Sequence, residues 1–276
     1  EANRQFDEAH ALFVSATPEN LASAKTLFLA AADKFSKIEN REGESNSLMF
    51  AGRCADDLGQ FDEALQFYGS ALKLYTALAL KEPIAVVNNN IGNIYLIKKD
   101  NAVAIKHYET ALEIVKSGEA PSIALTVYSA LVIVYDNVGE KAKVLEMCRS
   151  AIDEARRLGD ISAEARMINV MGQVLSDIGD RATALAIFET ALKLAVDNKI
   201  TDLETLVLNN IGTLYHYTGD VQKALDHFQK VLAKVDEKTA PDMYSLALNN
   251  MGQNYYAIGE ISKALEIYNK VLPIVD

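Results

Sequence analysis

Residues 209–235 read NNIGTLYHYTGDVQKALDHFQKVLAKV, and residues 249–275 read NNMGQNYYAIGEISKALEIYNKVLPIV. The two stretches superpose without a gap at a spacing of forty residues, and residues 88–115, NNNIGNIYLIKKDNAVAIKHYETALEIV, fall into the same frame. Working outward, Gly52, Gly92, Gly172, Gly212 and Gly252 stand at multiples of forty from one another. With Leu12 and Val132 at the glycine position, Ala24, Ala64, Ala104, Val144, Ala184, Ala224 and Ala264 form one column, and Phe28, Tyr68, Tyr108, Cys148, Phe188, Phe228 and Tyr268 another. A fixed period of this length means that each unit is one supersecondary element buried against its neighbours.

Inside each unit, apolar residues recur at helical spacing in two runs separated by a short polar break. The unit is therefore a helix hairpin, with helix A before the break and helix B after it. Gly59, Gly139, Gly179, Gly219 and Gly259 occupy the break, with Lys99 in their place in the third unit. A left-handed residue is needed just past the end of helix A, and glycine adopts it without a side-chain clash. The carboxylates that follow, Asp100, Glu140, Asp180, Asp220 and Glu260, are placed to accept the free amide hydrogens of helix B. Pro83, Pro121 and Pro241 lie near the first turn of the next helix A, where a missing N–H does no harm. The small residue at the glycine position is expected to face the alanine column of helix B, with the Phe/Tyr column filling the wider gap one turn on.

The predicted fold is all-α, a right-handed α-solenoid superhelix of about seven stacked antiparallel helix hairpins. Residues 1–276 are read as a single repeat domain, with units near 5–44, 45–84, 85–124, 125–164, 165–204, 205–244 and 245–276. The series small-x-x-Tyr, Gly-Asp and Ala-x-x-x-Phe/Tyr-x-x-Ala resembles the tetratricopeptide repeat (TPR) across essentially the whole chain. Its period is longer than the commoner repeat of about thirty-four residues, as in members similar to kinesin light chain, and the family's early Trp is absent, the chain having no Trp at all.

Composition narrows the function. A formal charge of −11 without any Lys/Arg cluster argues against nucleic acid. No run of eighteen apolar residues is present to insert in a membrane. Cys54 and Cys148 stand two repeats apart, too far to pair, and read as reduced core thiols consistent with a cytoplasmic home. The chain starts at Glu1, so that either a leader has been removed or a longer protein contains it. Its last unit ends in Leu272, Pro273, Ile274 and Val275 with no polar helix behind them, which leaves a face to be covered by a further segment or by a second copy, a possible homo-oligomer contact.

No chemistry is expected. His10, His107, His216 and His227 fall in different units without metal-ligand spacing, neither a nucleophilic triad nor a phosphate loop occurs, and no cofactor is called for. A repeat array without catalytic groups is read as a binding protein.

On helix A, the residue three before the glycine and the one directly after it are four apart and share a stripe, which in the tetratricopeptide family lines the groove. By that resemblance the partner-binding residues are Asn89 and Asn93, Asn169 and Gln173, Asn209 and Thr213, and Asn249 and Gln253, joined by Arg53 and, one turn on, by Asp57, Tyr217 and Tyr256. The recurrent Asn is predicted exposed, where its amide could bridge the backbone of an extended peptide. Asn90, Asn210 and Asn250 are instead read as bonding a neighbouring repeat. The family's carboxylate clamp needs Lys and Arg beside these Asn residues, and Arg53 and Arg166 alone are available. The leading expectation is a protein–protein interaction scaffold holding an extended peptide or protein segment on its concave helix A face; the alternatives are a sensory or regulatory domain of a larger signalling protein and a self-assembling structural array.

Overall fold

The computed structural model describes the backbone of residues 1–275 and the side chains of residues 1–272. All regular structure among the described residues is helical: α1 (Ala2–Ser15), α2 (Pro18–Lys37), α3 (Arg41–Asp57), α4 (Phe61–Ala77), α5 (Lys81–Ile97), α6 (Asn101–Lys116), α7 (Ala124–Asn137, after a 3₁₀ turn at Pro121–Ile123), α8 (Lys141–Leu158), α9 (Ile161–Asp177), α10 (Arg181–Asp197), α11 (Thr201–Thr218), α12 (Val221–Leu232), α13 (Pro241–Ala257) and α14 (Ile261–Val275). Odd-numbered helices are the A helices and even-numbered ones the B helices. The chain divides into two compact units, Glu1–Glu140 and Lys141–Asp276. In the first, each helix from α1 to α7 packs on the next; in the second the same succession runs from α8 to α14. In both, consecutive A helices also touch: α5 with α7, α9 with α11, and α11 with α13. The architecture is an all-α succession of hairpins of the solenoid type.

The glycine comb has a packing cause, and it differs from the expected one. A Cβ built on Gly52, Gly92, Gly172 or Gly212 would lie 2.6–2.7 Å from the ring of Tyr68, Tyr108, Phe188 or Phe228, sixteen residues on. The glycine faces the aromatic column rather than the alanine column. Those four rings are essentially inaccessible, as are the alanines from Ala24 to Ala224, so both columns belong to the core. Where Val132 replaces glycine, the residue sixteen on is the small, fully buried Cys148, whereas Leu12 in the first unit keeps the aromatic Phe28.

The hairpin turns follow the sequence reading. Gly59, Gly139, Gly179, Gly219 and Gly259 have φ between 72° and 90°, and Lys99 adopts the same region at 60°. At each turn the residue after it donates its N–H to a carbonyl five positions back, as Gln60 does to Ala55, Asp100 to Tyr95 and Asp220 to Tyr215. This satisfies a carbonyl that the helix end would leave orphaned. Asp100, Asp180 and Asp220 cap helix B by accepting from Val103, Thr183 and Lys223 N–H.

A second set of left-handed residues was not foreseen. Glu39, Ala79, Gly118, Gly159 and Lys199 close the B helices at positive φ, and Asn40 and Asp160 then cap the following A helix through Gly43 and Ala163 N–H. Four of these ends start the A helices at Arg41, Lys81, Ile161 and Thr201, a few residues ahead of the unit limits drawn from sequence. The first hairpin also turns early, at Ala16 with φ 51°. Thr17 caps α2 there and Pro18 opens it, which makes α2 the longest helix. At the far end, Leu272 is exposed as expected, whereas the side chains of Pro273, Ile274 and Val275 lie outside the described residues.

Candidate functional site

In the second unit, α9, α11 and α13 lie side by side, and their contact buries the column three before each glycine. Asn169 and Asn209 are 2% and 5% exposed, and in the first unit Asn89 is 5% exposed; Asn249 is half-buried. The expected exposure of these four residues is thus corrected. The stripe is wide enough for the next helix A to cover one side of it, and an amide buried there needs a local partner. The Asn210 amide donates to Asn169 Oδ1 at 2.9 Å, and the Asn250 amide to Asn209 Oδ1 at 2.8 Å. Asn210 and Asn250 therefore bond a neighbouring repeat, and the acceptor in each case is the very Asn assigned to the groove.

The ladder breaks in the first unit. The position equivalent to Asn210 and Asn250 is Ala130 on α7, and Asn89 Oδ1 is buried without a hydrogen-bond partner.

Beyond the seam, the remaining predicted residues stay on the surface. Arg53, Asp57, Gln173, Gln253, Tyr217 and Tyr256 are exposed, the two tyrosines at 61% and 64%. Asn93 is half-buried and accepts from the Tyr108 hydroxyl at 2.7 Å, and Thr213, also half-buried, donates its hydroxyl to the Asn209 carbonyl at 3.0 Å. Arg166 ion-pairs with Asp202 at 2.5 Å, and the Arg53 guanidinium sits 4.8 Å over the Phe13 ring. Neither arginine flanks a row of exposed Asn, so the carboxylate clamp is not assembled by these residues.

Two further groups join the surface of the second unit. His216 Nδ1 lies 3.1 Å from Asn254 Oδ1, and the Asn254 amide donates to the Asn250 carbonyl at 2.8 Å. His216 and Asn254, together with Thr213, Tyr217, Asn250 and Gln253, surround a cleft of about 60 Å3 floored by Phe228. His216 directly precedes Tyr217, one turn past the groove stripe, so the sequence carries a signal for it. Asn254, only 1% exposed, was not, because it falls outside the two stripe positions.

In the first unit the surface carries two adjacent carboxylates beside Arg53. Asp56, half-buried beside Asp57, has its carboxyl pushed up to about 6, chiefly by burial and then by the Asp57 charge; the Tyr68 hydroxyl, 3.5 Å away, and Arg53 oppose the shift. Cys54 next to it is pushed up to about 11 by burial and by Asp57. Such a thiol stays protonated and inert at neutral pH. His107 Nδ1 lies 2.9 Å from Asn88 Oδ1, and burial lowers its basicity. Among the described residues no group of three His, Cys, Asp or Glu is placed to hold a metal, and no helix is long and apolar enough to cross a membrane.

Helix hairpins in register, glycine seated against an aromatic ring, and an open polar face define a helical-repeat protein. Profile comparisons agree: residues 201–276 and 165–198 match tetratricopeptide repeat profiles, and residues 1–135 match the profile of soluble NSF attachment protein, SNAP. These matches support a tetratricopeptide repeat protein. No curated protein matches it. Among solved structures, the apo form of RapI is 16% identical with a TM-score of 0.79, over 98% of this chain and 76% of that one. The C-terminal part of a TPR repeat-containing protein from Cytophaga hutchinsonii is 16% identical, with a TM-score of 0.66 over 98% and 95%. A Rap protein complexed with competence and sporulation factor is 15% identical, with a TM-score of 0.61 over 99% and 77%. At these identities the likeness is one of fold.

Proposed function

We propose that the protein is an interaction scaffold that holds an extended peptide or protein segment along the exposed helix A face of its second unit, on Gln173, Thr213, Tyr217, Gln253 and Tyr256. The observation that carries this reading is the pair Tyr217 and Tyr256. Both are large, amphipathic and more than half exposed on neighbouring A helices, where the fold has no packing use for them. Side chains of this kind give contact area at low entropic cost and anchor interfaces. The structurally similar Rap protein, itself complexed with competence and sporulation factor, is in keeping with the reading. Asn169 and Asn209 leave the proposed contact set, because their amides are engaged in the seam. Asn249 stays at its edge, half-buried. In the first unit, Arg53, Asp57 and Asn93 form a separate surface of mixed charge for which no partner is assigned.

Peptides selected from a random displayed library on the wild-type protein are expected to bind at micromolar strength. They should weaken at least tenfold towards Tyr217→Ala/Tyr256→Ala, whose thermal melt stays that of the wild type. Equal binding to the double variant would remove the face from consideration.

A further inference from the structure

In the cleft between α11 and α13, His216, Thr213 and Asn250 each hold a hydrogen bond through a donor and keep an acceptor, with Gln253 and Tyr217 lining the exposed side. The Asn254 amide nitrogen donates to the Asn250 carbonyl, so its oxygen must be the atom that meets His216. An oxygen accepts only, so His216 Nδ1 carries the hydrogen and Nε2 of the neutral ring keeps its lone pair. The Thr213 hydroxyl hydrogen is directed to the Asn209 carbonyl, which leaves the oxygen lone pairs. The Asn250 amide nitrogen donates to Asn209 Oδ1, and Asn250 keeps its own Oδ1. These three residues line one cleft of about 60 Å3, and no Lys, Arg, Asp or Glu lines it with them.

We propose that this cleft takes the ammonium group of a lysine side chain carried by the segment in the groove, a refinement that rests on the groove reading. An ammonium brings three N–H donors and no acceptor, which matches three free lone-pair groups. A carboxylate would set its lone pairs against theirs. The volume admits a group the size of a water molecule or an ammonium, not a ring, and a planar five-donor guanidinium is a poor match for it. Tyr217, beside the cleft and 61% exposed, offers a ring face to the cation and apolar cover to the lysine stem. The net charge of −11 favours a cationic segment at long range.

The test uses the whole chain with ¹⁵N-labelled histidine, its ring nitrogens followed while n-butylammonium, butyrate and 1-butanol are added in turn. His216 is identified by the signal lost in His216→Gln. The expected result is an Nδ1–H tautomer in the free protein and a saturable shift of Nε2 with n-butylammonium alone. Thr213→Val, which removes one acceptor at constant shape, should raise the apparent Kd at least fivefold without moving the thermal melt. An Nε2–H tautomer, the same response to all three probes, or an unchanged Kd in Thr213→Val would each overturn the proposal. None of these uses a peptide, so an ammonium titration that fails while selected peptides still depend on Tyr217 and Tyr256 condemns the cleft and leaves the groove standing.

Discussion

Asn89 and Asn209 occupy the same place in their repeats and differ in one neighbour. Asn209 Oδ1 accepts from Asn250, forty-one residues on, while Asn89 finds Ala130 there and its Oδ1 remains buried and unpaired. An unmet buried acceptor costs roughly 1–3 kcal/mol, and an asparagine in mid-helix costs about 0.6 kcal/mol relative to alanine. Ala130→Asn is therefore expected to stabilise the protein by about 1 kcal/mol, read as a higher urea midpoint at unchanged slope; a lower midpoint would mean that the seam does not extend to this repeat. Asp56 presents the opposite case, a charge that the fold disfavours. Its carboxyl is raised to about 6 in the folded chain against 3.8 in a free one, so the native state binds the extra proton between those values. Stability contributed by the protonated form is complete below pH 3.8 and is lost as pH rises through about 6. Because Asp56 is only half-buried, the loss is discounted to about 1 kcal/mol. Asp56→Asn should accordingly be more stable than the wild type at pH 7.5 by about that amount and lose the advantage by pH 4, as thermal melts at the two pH values will show.

The helices end where the sequence places glycine, but also where it does not. The turn comb at Gly59, Gly139, Gly179, Gly219 and Gly259 could be read directly, because a left-handed residue at a fixed period selects the one side chain that fits it. The comb half a repeat later could not, since Glu39, Ala79 and Lys199 hold it with ordinary side chains. There the bonds from Asn40 to Phe35, Leu80 to Tyr75 and Ile200 to Ala195 close the helix whatever residue stands before them. The same limit applied to the site. Periodicity tells which residues share a face of helix A, but not how much of that face the next helix A covers, so it locates the stripe without separating its buried edge from the open groove. The pairing was nonetheless present in the sequence: Asn at 169 and 210, and at 209 and 250, recurs at forty-one residues, one more than the period. For the turns, Lys99→Gly should relieve a left-handed lysine that the five other hairpins of this type avoid. The gain, offset in part by the freer unfolded chain, is expected at roughly 0.5 kcal/mol. It would appear as a slower unfolding rate or a higher urea midpoint, and a loss of stability would show that the lysine side chain contributes more than its backbone costs.

For the molecule as a whole, charge and packing pull in different directions. Its core is a repeated glycine–aromatic and alanine contact that neighbouring hairpins extend within each unit, so stability accrues through local interfaces. Over this core lie ion pairs that link successive hairpins, among them Lys25 with Glu63, Lys98 with Asp62, and Arg166 with Asp202. At least one partner in each pair is well exposed, and exposed pairs contribute from nothing to about 1 kcal/mol. Against them stands an excess of eleven negative charges, which repel one another more strongly in the compact chain than in the unfolded one. At 0.5 M NaCl the Debye length falls to about 4 Å, which screens the diffuse repulsion fully and the pairs, held at contact, only in part. Repulsion is thus the term that salt removes. The midpoint of thermal unfolding should rise by about 1–3 °C between 20 mM and 0.5 M NaCl. Sulfate would raise it further by strengthening burial, so chloride is the salt that isolates the charge effect. A falling midpoint would mean that the inter-hairpin pairs outweigh the repulsion, and would assign them, rather than the buried apolar contacts between hairpins, a leading part in joining one repeat to the next.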